Sequence, residues 1–469
     1  MSWGFENDPE VQEELDWVER FVRDEIEPVD QVIEHAWNPR DPVRNALIKP
    51  LQQQVRERKL WAAHLGPELG GPGYGQLRLA LLNEKLGRTH SGPVVFGCQA
   101  PDSGNAEILA HYGTDHLKKT YLEPLIEGDI VSCFSMTEPH GGSDPTGFRT
   151  TAVLDGDEWV INGEKWFSSH ALWAEFLIVM AVTEPDAPAH KSMSMFVVPA
   201  DTPGIERVRD VSVWGHDEPV GSHNYLRYTD VRVPAENILG ERGQAFAVAQ
   251  TRLGGGRIHH AMRTVGLVQA AFEMMKRRAV SRTTKGSRLA DKQLVQEMIA
   301  DSWIQMEQFR LLVLRTAWRI DRYNDYRRVR ADISAVKAAM PKVLLDVAGR
   351  AIQIHGSLGI SKELPFGKWV MESFHMGLAD GATEVHKVNL AQFLLRGTEP
   401  DDGLFPPYIL PTRKAEAQER FAEILAAAAD DGETELAEST IGGETELAES
   451  TIGGETELAE STIVGDDPA

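Results

Sequence analysis

Two carboxylates four residues apart, Asp380 and Glu384, stand in the stretch "ADGATEVHK" beside Gly381, Thr383 and His386. A carboxylate there can serve as a general base if a substrate proton comes within hydrogen-bond reach. It can equally start a helix, because an aspartate caps orphan backbone N–H groups and a first-turn glutamate gains from the helix dipole. These nine residues leave both readings open. A second polar run, "FSMTEPHGGSDPTG" from Phe134 to Gly147, offers the hydroxyls of Thr137 and Ser143. Its Gly141-Gly142 pair lets backbone N–H groups approach a ligand closely, and Glu138 and Asp144 can hold the loop's shape. A tight polar turn would have much the same composition. A third run, "RLGGGRIHHAMR" from Arg252 to Arg263, puts His259 and His260 at the opening of a helix beside Arg257, where packing is the default role. The glycines of "GGGR" and "GGPGYG" read as turn or loop signals.

The elements that must position these runs follow from hydrophobic period. From Pro9 to about Gly128 segments such as "VQEELDWVERFVRDEI" and "LRLALLNEKLGR" repeat apolar residues at i, i+3, i+4 and i+7, the mark of amphipathic helices. From Val131 to about Gly240 the pattern alternates. "TTAVLDGDEWVINGEKWFSS" contains Asp155-Gly156 and Asn162-Gly163 turn pairs, a strong hairpin signal. From Gly243 to about Arg396 helical period returns in four long stretches, the last following directly on "ADGATEVHK". The expected plan is therefore α+β and multidomain. An N-terminal helical domain spans 1–130, a central antiparallel β-domain 131–240, a C-terminal four-helix bundle 241–400 and an extension 401–469.

Bulk properties bound the function. The 469 residues are 42% hydrophobic and 25% charged, ordinary globular composition, and suggest several domains. No apolar run approaches the roughly 20 residues of a membrane span, and "MSWGFENDPEVQEEL" lacks the basic and apolar regions of a signal peptide. Cys98 and Cys133 are too few for a disulfide framework and have no basic neighbour to activate them, so a reducing cytoplasm is the natural setting. Thirteen acids and no Lys or Arg lie between Asp430 and Ala469, so only −10 of the formal −23 belongs to the rest of the chain. A body that mildly acidic argues against nucleic-acid binding. In the acidic tail "GETELAESTI" recurs with a period of 11, starting at Gly432, Gly443 and Gly454. Each copy offers little to bury, and a disordered appendage is expected. No G-x-G-x-x-G after a strand and no P-loop is present, which removes two common nucleotide-binding plans.

Four blocks resemble the acyl-CoA dehydrogenase family. Ser135-Met136-Thr137-Glu138 followed by Gly141-Gly142-Ser143-Asp144 is similar to its first signature, and "INGEKWFSS" to a flavin-contacting strand. "YTDVRVPAENILG" resembles the link from β-domain to bundle, and "QIHGSLGI" the loop that reaches the FAD of a neighbouring subunit. The resemblance runs from about residue 5 to 400, in order, and leaves out the tail.

What the resemblance implies is specific. Phe134, Met136, Thr137 and Gly142 would border the flavin of a bound FAD, with Ser143 reaching the pyrophosphate and also the substrate. Phe167 and Ser169 would place an aromatic and a hydroxyl against the ring system. Arg282, Gln353, Gly356 and Ser357 would contact the FAD of a second subunit, implying a homodimer or a homotetramer built from two dimers. Asp380 takes the place of the catalytic base, as in the aspartate-base branch that includes family members ten and eleven. Thr251, at the alternative base position, cannot serve. Arg257 and Gly381 would help bind the acyl-CoA substrate, Glu384 would be structural, and no residue is assigned to a metal. Burial beside an acyl chain and flavin is expected to raise the pKa of Asp380. Two positions depart from the family: Lys285 stands for an aromatic near the adenine, and Ala382 for a threonine after the acid-glycine pair. The implied reaction is α,β-dehydrogenation of an acyl-CoA to a trans-2-enoyl-CoA, of medium to long chain or with an unusual acyl group. Electrons would pass to an electron-transfer flavoprotein. A nitroalkane oxidase-like flavoprotein, or a non-catalytic subunit paired with an active paralogue, is the alternative.

Overall fold

A computed structural model describes residues 6–33, 35–214 and 223–429. The 11-residue repeats therefore lie outside the described residues. Residues 1–396 form one compact unit, and 397–469 form a second, in which the described segment includes a helix Leu410–Arg420.

The helical opening segment includes helices Pro9–Phe21, Pro42–Glu57, Gly75–Leu86 and Asp102–Tyr112. Their apolar faces do not close a core of their own. Val18, Phe21, Leu79 and Leu82 pack in one cluster with Ile258, Met262 and Val265 of the first bundle helix. A helix with a single apolar stripe must bury it against another layer, and here that layer includes the first bundle helix.

The middle segment is one seven-stranded sheet in the order β1-β4-β2-β3-β7-β6, with β5 pairing on β4. The strands are β1 (Ser132–Ser135), β2 (Thr151–Asp155), β3 (Glu158–Ser169), β4 (Phe176–Val182), β5 (Met193–Pro199), β6 (Ile205–Asp210) and β7 (His223–Pro234). The expected antiparallel pairings dominate, and the Asp155–Glu158 register closes the β2–β3 hairpin at the Asp155-Gly156 signal, whereas Asn162-Gly163, expected as a second turn, lies inside β3 at a register irregularity. β1, however, runs parallel to β4, with Phe134 opposite Ile178.

The bundle is built from helices Ala245–Ser281, Gln293–Tyr323 and Arg330–His355, then a fourth stretch split into Phe366–Leu378 and Thr383–Leu395. The split falls at residues 379–382. Two sequence expectations are corrected in the first bundle helix. Gly254, Gly255 and Gly256 lie inside it and form no turn, and His259 and His260 sit at its middle and do not open it. Packing overrides the weak helix propensity of glycine, about 0.5–1 kcal/mol per residue relative to alanine, because a side chain has no room there. A Cβ on Gly254 would stand 3.2 Å from the Tyr326 ring, and one on Gly255 3.0 Å from Glu107 Oε2.

Candidate active site

The loop leaving β1 is tied at both ends by one buried carboxylate. Glu138, 1% exposed, accepts the main-chain N–H of Arg149 at 2.7 Å and of Thr150 at 2.9 Å. The buried Lys165 ammonium lies 2.9 Å from its Oε1, and His140 Nε2 lies 3.1 Å from its Oε2. Burial lowers the Lys165 pKa to about 8. Burial raises that of Glu138, but Lys165 and the two amides outweigh it and hold the carboxyl below its ordinary value. Asp144 fixes the far turn by accepting the Thr146 N–H at 3.0 Å. Between these ties Gly142 and Ser143 are exposed. The Trp166 N–H donates to Thr137 O at 2.9 Å, joining the loop to β3. There the β3–β7 register is irregular between Lys165 and Ser168. Phe167 takes a left-handed φ of 48° and leaves its side chain 39% exposed. Such a backbone is uncommon for a bulky residue and persists where surrounding structure enforces it. Ser169 Oγ lies 2.8 Å from His223 Nδ1. An exposed aromatic, an exposed glycine-serine main chain and a half-buried Thr137 thus share one platform, a surface suited to a flat heteroaromatic group with a phosphate tail.

Asp380 lies in the break of the fourth bundle stretch, with its side chain 17% exposed. It caps nothing. Ala382 is the N-cap residue of the helix that follows, and no described group donates a hydrogen bond to the Asp380 carboxylate. The expected rise in its pKa is also overturned. Burial does push the carboxyl up, but His260, Arg252, Arg257 and Lys337 together hold it below the ordinary aspartate value. His260 Nε2 is 3.6 Å and Arg252 Nη1 3.9 Å from its oxygens. The first bundle helix explains this ring, since residues four apart share a helical face. Arg252, Gly256 and His260 follow that spacing, and a Cβ on Gly256 would stand 3.1 Å from Asp380 Oδ2. Burial lowers the pKa values of His260 and Arg252 in turn, and brings Lys337 down to about 8.

Arg252 connects base and platform. Its guanidinium lies 3.9 Å from the Phe134 ring centroid, and its Nε donates to Asn105 Oδ1 at 2.9 Å. The structure thereby brings Phe134 and Asp380 together around one buried arginine. Sequence reasoning assigned nothing to Arg252, Lys337 or His386. For Arg252 a signal existed, the R-x-x-x-G-x-x-x-H spacing. For Lys337 on another helix none did.

Of the remaining predicted residues, Arg257 and Gly381 adjoin Asp380 and the others lie elsewhere. Arg257 Nε donates to the main-chain oxygen of Asp380 at 2.8 Å, and Gly381 follows with φ 104°. Arg282, Gln353, Gly356 and Ser357 are exposed on the bundle. Lys285 and Gly286 form a two-residue turn with positive φ at both positions. Glu384 is exposed in a first helical turn, and His259 lies 3.2 Å from Gln76 Oε1, facing the N-terminal helices. Thr251 Oγ1 is 2.9 Å from the Tyr112 hydroxyl. Cys98 and Cys133 are buried, and their thiol pKa values are raised by burial. Among the described residues no group of three His, Cys, Asp or Glu side chains could hold a metal, and no helix is long and apolar enough to cross a membrane.

Comparison with known proteins follows the same boundaries. Models of the acyl-CoA dehydrogenase N-terminal, middle and C-terminal domains match residues 8–129, 133–231 and 243–395. The chain is 41% identical over 361 residues to "Probable acyl-CoA dehydrogenase FadE2" of Mycobacterium tuberculosis, covering 76% of this chain and 88% of that one. It is 38% identical over 394 residues to acyl-CoA dehydrogenase family member 11 of Gallus gallus, covering 82% of this chain but half the length of that relative. The structure of butyryl-CoA dehydrogenase from Megasphaera elsdenii superposes with a TM-score of 0.72 at 26% identity, covering 84% of this chain and all of that one.

Proposed function

The chain belongs to the acyl-CoA dehydrogenase family, and from that premise we propose that it is an FAD-dependent acyl-CoA dehydrogenase with Asp380 as its base. One observation carries the reading. A half-buried carboxylate, free of hydrogen bonds from described residues, stands among cationic side chains, one arginine away from the Phe134 ring.

Phe134, Met136, Thr137, Gly142, Ser143, Phe167 and Ser169 would hold FAD on the exposed face of the platform. When bound, FAD supplies the two-electron acceptor that takes the β-hydrogen with its electron pair as the Cα=Cβ bond forms. Asp380 takes the α-proton. Its oxygens are available for this because Arg257 is spent on the main-chain carbonyl, while Arg252 and the His260 ring stand beyond hydrogen-bond length. The α-proton of a thioester is too weakly acidic for a carboxylate unless the developing negative charge is stabilised, and preorganised donors and cations do this best where water is excluded. The Arg252, Arg257 and Lys337 charges supply such a field, and the Asp380 N–H donates to no described residue. Arg257, Gly381 and Ser143 border the acyl-CoA. Arg282, Gln353, Gly356 and Ser357 complete the FAD site of a second copy in a homodimer or a dimer of dimers. An electron-transfer flavoprotein accepts the electrons, and the cytoplasm is the setting.

Flavin content and anaerobic titration of the purified protein with acyl-CoAs of graded length test this. The expected result is a yellow protein bleached by at least one acyl-CoA and slow to recolour in air. A colourless protein, or a flavin reduced by nitroalkanes and by no acyl-CoA, overturns it.

A further inference from the structure

We propose that His386 is a positioning residue for the base, acting on Asp380 through the main chain and not through the carboxylate. The proposal rests on reading Asp380 as that base. Asp380 and Gly381 both lie in the left-handed region, at φ 55° and 104°. Aspartate enters this region more readily than most residues, and two such residues in a row are held where neighbours fix the turn.

The neighbours are present. Arg257 Nε donates to Asp380 O at 2.8 Å, and His386 Nε2 lies 3.4 Å from the same oxygen. Before the turn, Thr383 Oγ1 donates to Gly377 O at 3.1 Å, and Lys337 Nζ donates to Met376 O. The carbonyls around the base are therefore held, while the carboxylate itself accepts no hydrogen bond from the described residues. His386 is 3% exposed, and its Nδ1 lies 3.4 Å from Ser334 Oγ on the third bundle helix. With the proton on Nε2, Ser334 donates to Nδ1 and Nε2–H donates to Asp380 O. The ring also occupies the space a side chain at 381 would need, since a Cβ there would stand 2.9 Å from Nε2. Burial lowers the His386 pKa to about 4, which keeps the ring neutral at ordinary pH.

His386 thus ties the turn that carries the base to the bundle core. An aspartate has one methylene fewer than a glutamate, so a main-chain shift reaches the reacting oxygen with less slack. A misplacement of about 1 Å can cost on the order of a hundredfold in rate.

The test uses the holoprotein with His386→Leu and with His386→Gln, whose amide returns a donor near the Nε2 position. Three quantities are measured: the anaerobic flavin-reduction rate at saturating acyl-CoA, the half-saturating concentration, and amide hydrogen exchange over residues 377–383. His386→Leu is expected to slow reduction by about 10- to 100-fold, with flavin content and half-saturation nearly unchanged and faster exchange at Ala379, whose amide donates to His375 O beside the turn. His386→Gln is expected to recover most of the rate. A wild-type rate in the leucine variant, or a loss that glutamine does not restore, overturns the proposal. If no acyl-CoA bleaches the wild-type protein, the functional reading fails, and the exchange measurement still judges the positioning: unchanged protection in His386→Leu overturns it. Should that variant not fold, Ser334→Ala is expected to speed the same exchange, and unchanged exchange there overturns the proposal.

Discussion

Asp380 and Glu384 share a short stretch of sequence and have opposite surroundings. Asp380 is ringed by His260, Arg252, Arg257 and Lys337, whereas Glu384 is exposed. Asp380→Asn keeps the shape and removes the proton acceptor, so it should retain FAD and acyl-CoA binding while flavin bleaching falls by several orders of magnitude. Glu384→Gln should stay within about tenfold of wild type, roughly 1.4 kcal/mol in barrier. Anaerobic stopped-flow reduction of both variants checks this pair. The lowered pKa of Asp380 sets a pH dependence. A carboxyl held below its ordinary value of 3.8 stays ionised as pH falls to that point, so kcat/KM should show no acid limb from the base above about pH 4. Removing a cation with Lys337→Met should raise the pKa and move that limb upward, which a pH–kcat/KM profile would reveal. The same depression contributes folding stability above the unfolded pKa, and the contribution is lost as pH falls through the lowered folded value.

At the scale of elements, the first bundle helix gives up intrinsic stability to let the base approach. Gly256 sits where a Cβ would stand 3.1 Å from Asp380 Oδ2. Gly256→Ala should therefore separate two properties. Helix propensity favours alanine by about 0.5–1 kcal/mol, so the melting temperature should hold or rise, while turnover drops because the carboxylate is crowded. Thermal unfolding and steady-state kinetics on one preparation decide it, and a joint loss of both would point to a packing defect. The broken fourth stretch follows the same logic. Its left-handed turn at Asp380 and Gly381 separates two helices, and anchors from Arg257, Thr383 and Lys337 hold main-chain carbonyls beside it.

At the scale of the whole molecule, the bundle's outer surface carries Leu378 at 70% exposure with Phe374, Leu394 and Leu395 also exposed. Exposed apolar side chains mark protein–protein contact where they form one contiguous patch. If Arg282 and Gln353 complete a neighbour's FAD site, cofactor and assembly are linked, because a ligand spanning two subunits stabilises the pair. Arg282→Ala should then shed FAD and weaken the oligomer together, as sedimentation with flavin absorbance would show. A monomer with full flavin occupancy contradicts that linkage. Deleting Asp430 to Ala469 should leave turnover and melting temperature nearly unchanged, and a large fall in either would mean that the acidic repeats pack on the body.

By itself the sequence determined what depends on short-range pattern. The helix–strand–helix order followed from period, the β2–β3 hairpin from its Asp-Gly pair, and the candidate base and platform from contiguous motifs and their resemblance to a family. Only the tertiary structure decided what depends on distant residues meeting. Gly254 to Gly256 read as a turn because local propensity says so, and packing against Tyr326, Glu107 and Asp380 made them helix. The pKa of Asp380 was expected to rise from burial alone. It is lowered because Arg252, Arg257 and His260 on one helix and Lys337 on another converge on it, and Coulomb energies depend on separations in space that sequence spacing does not carry.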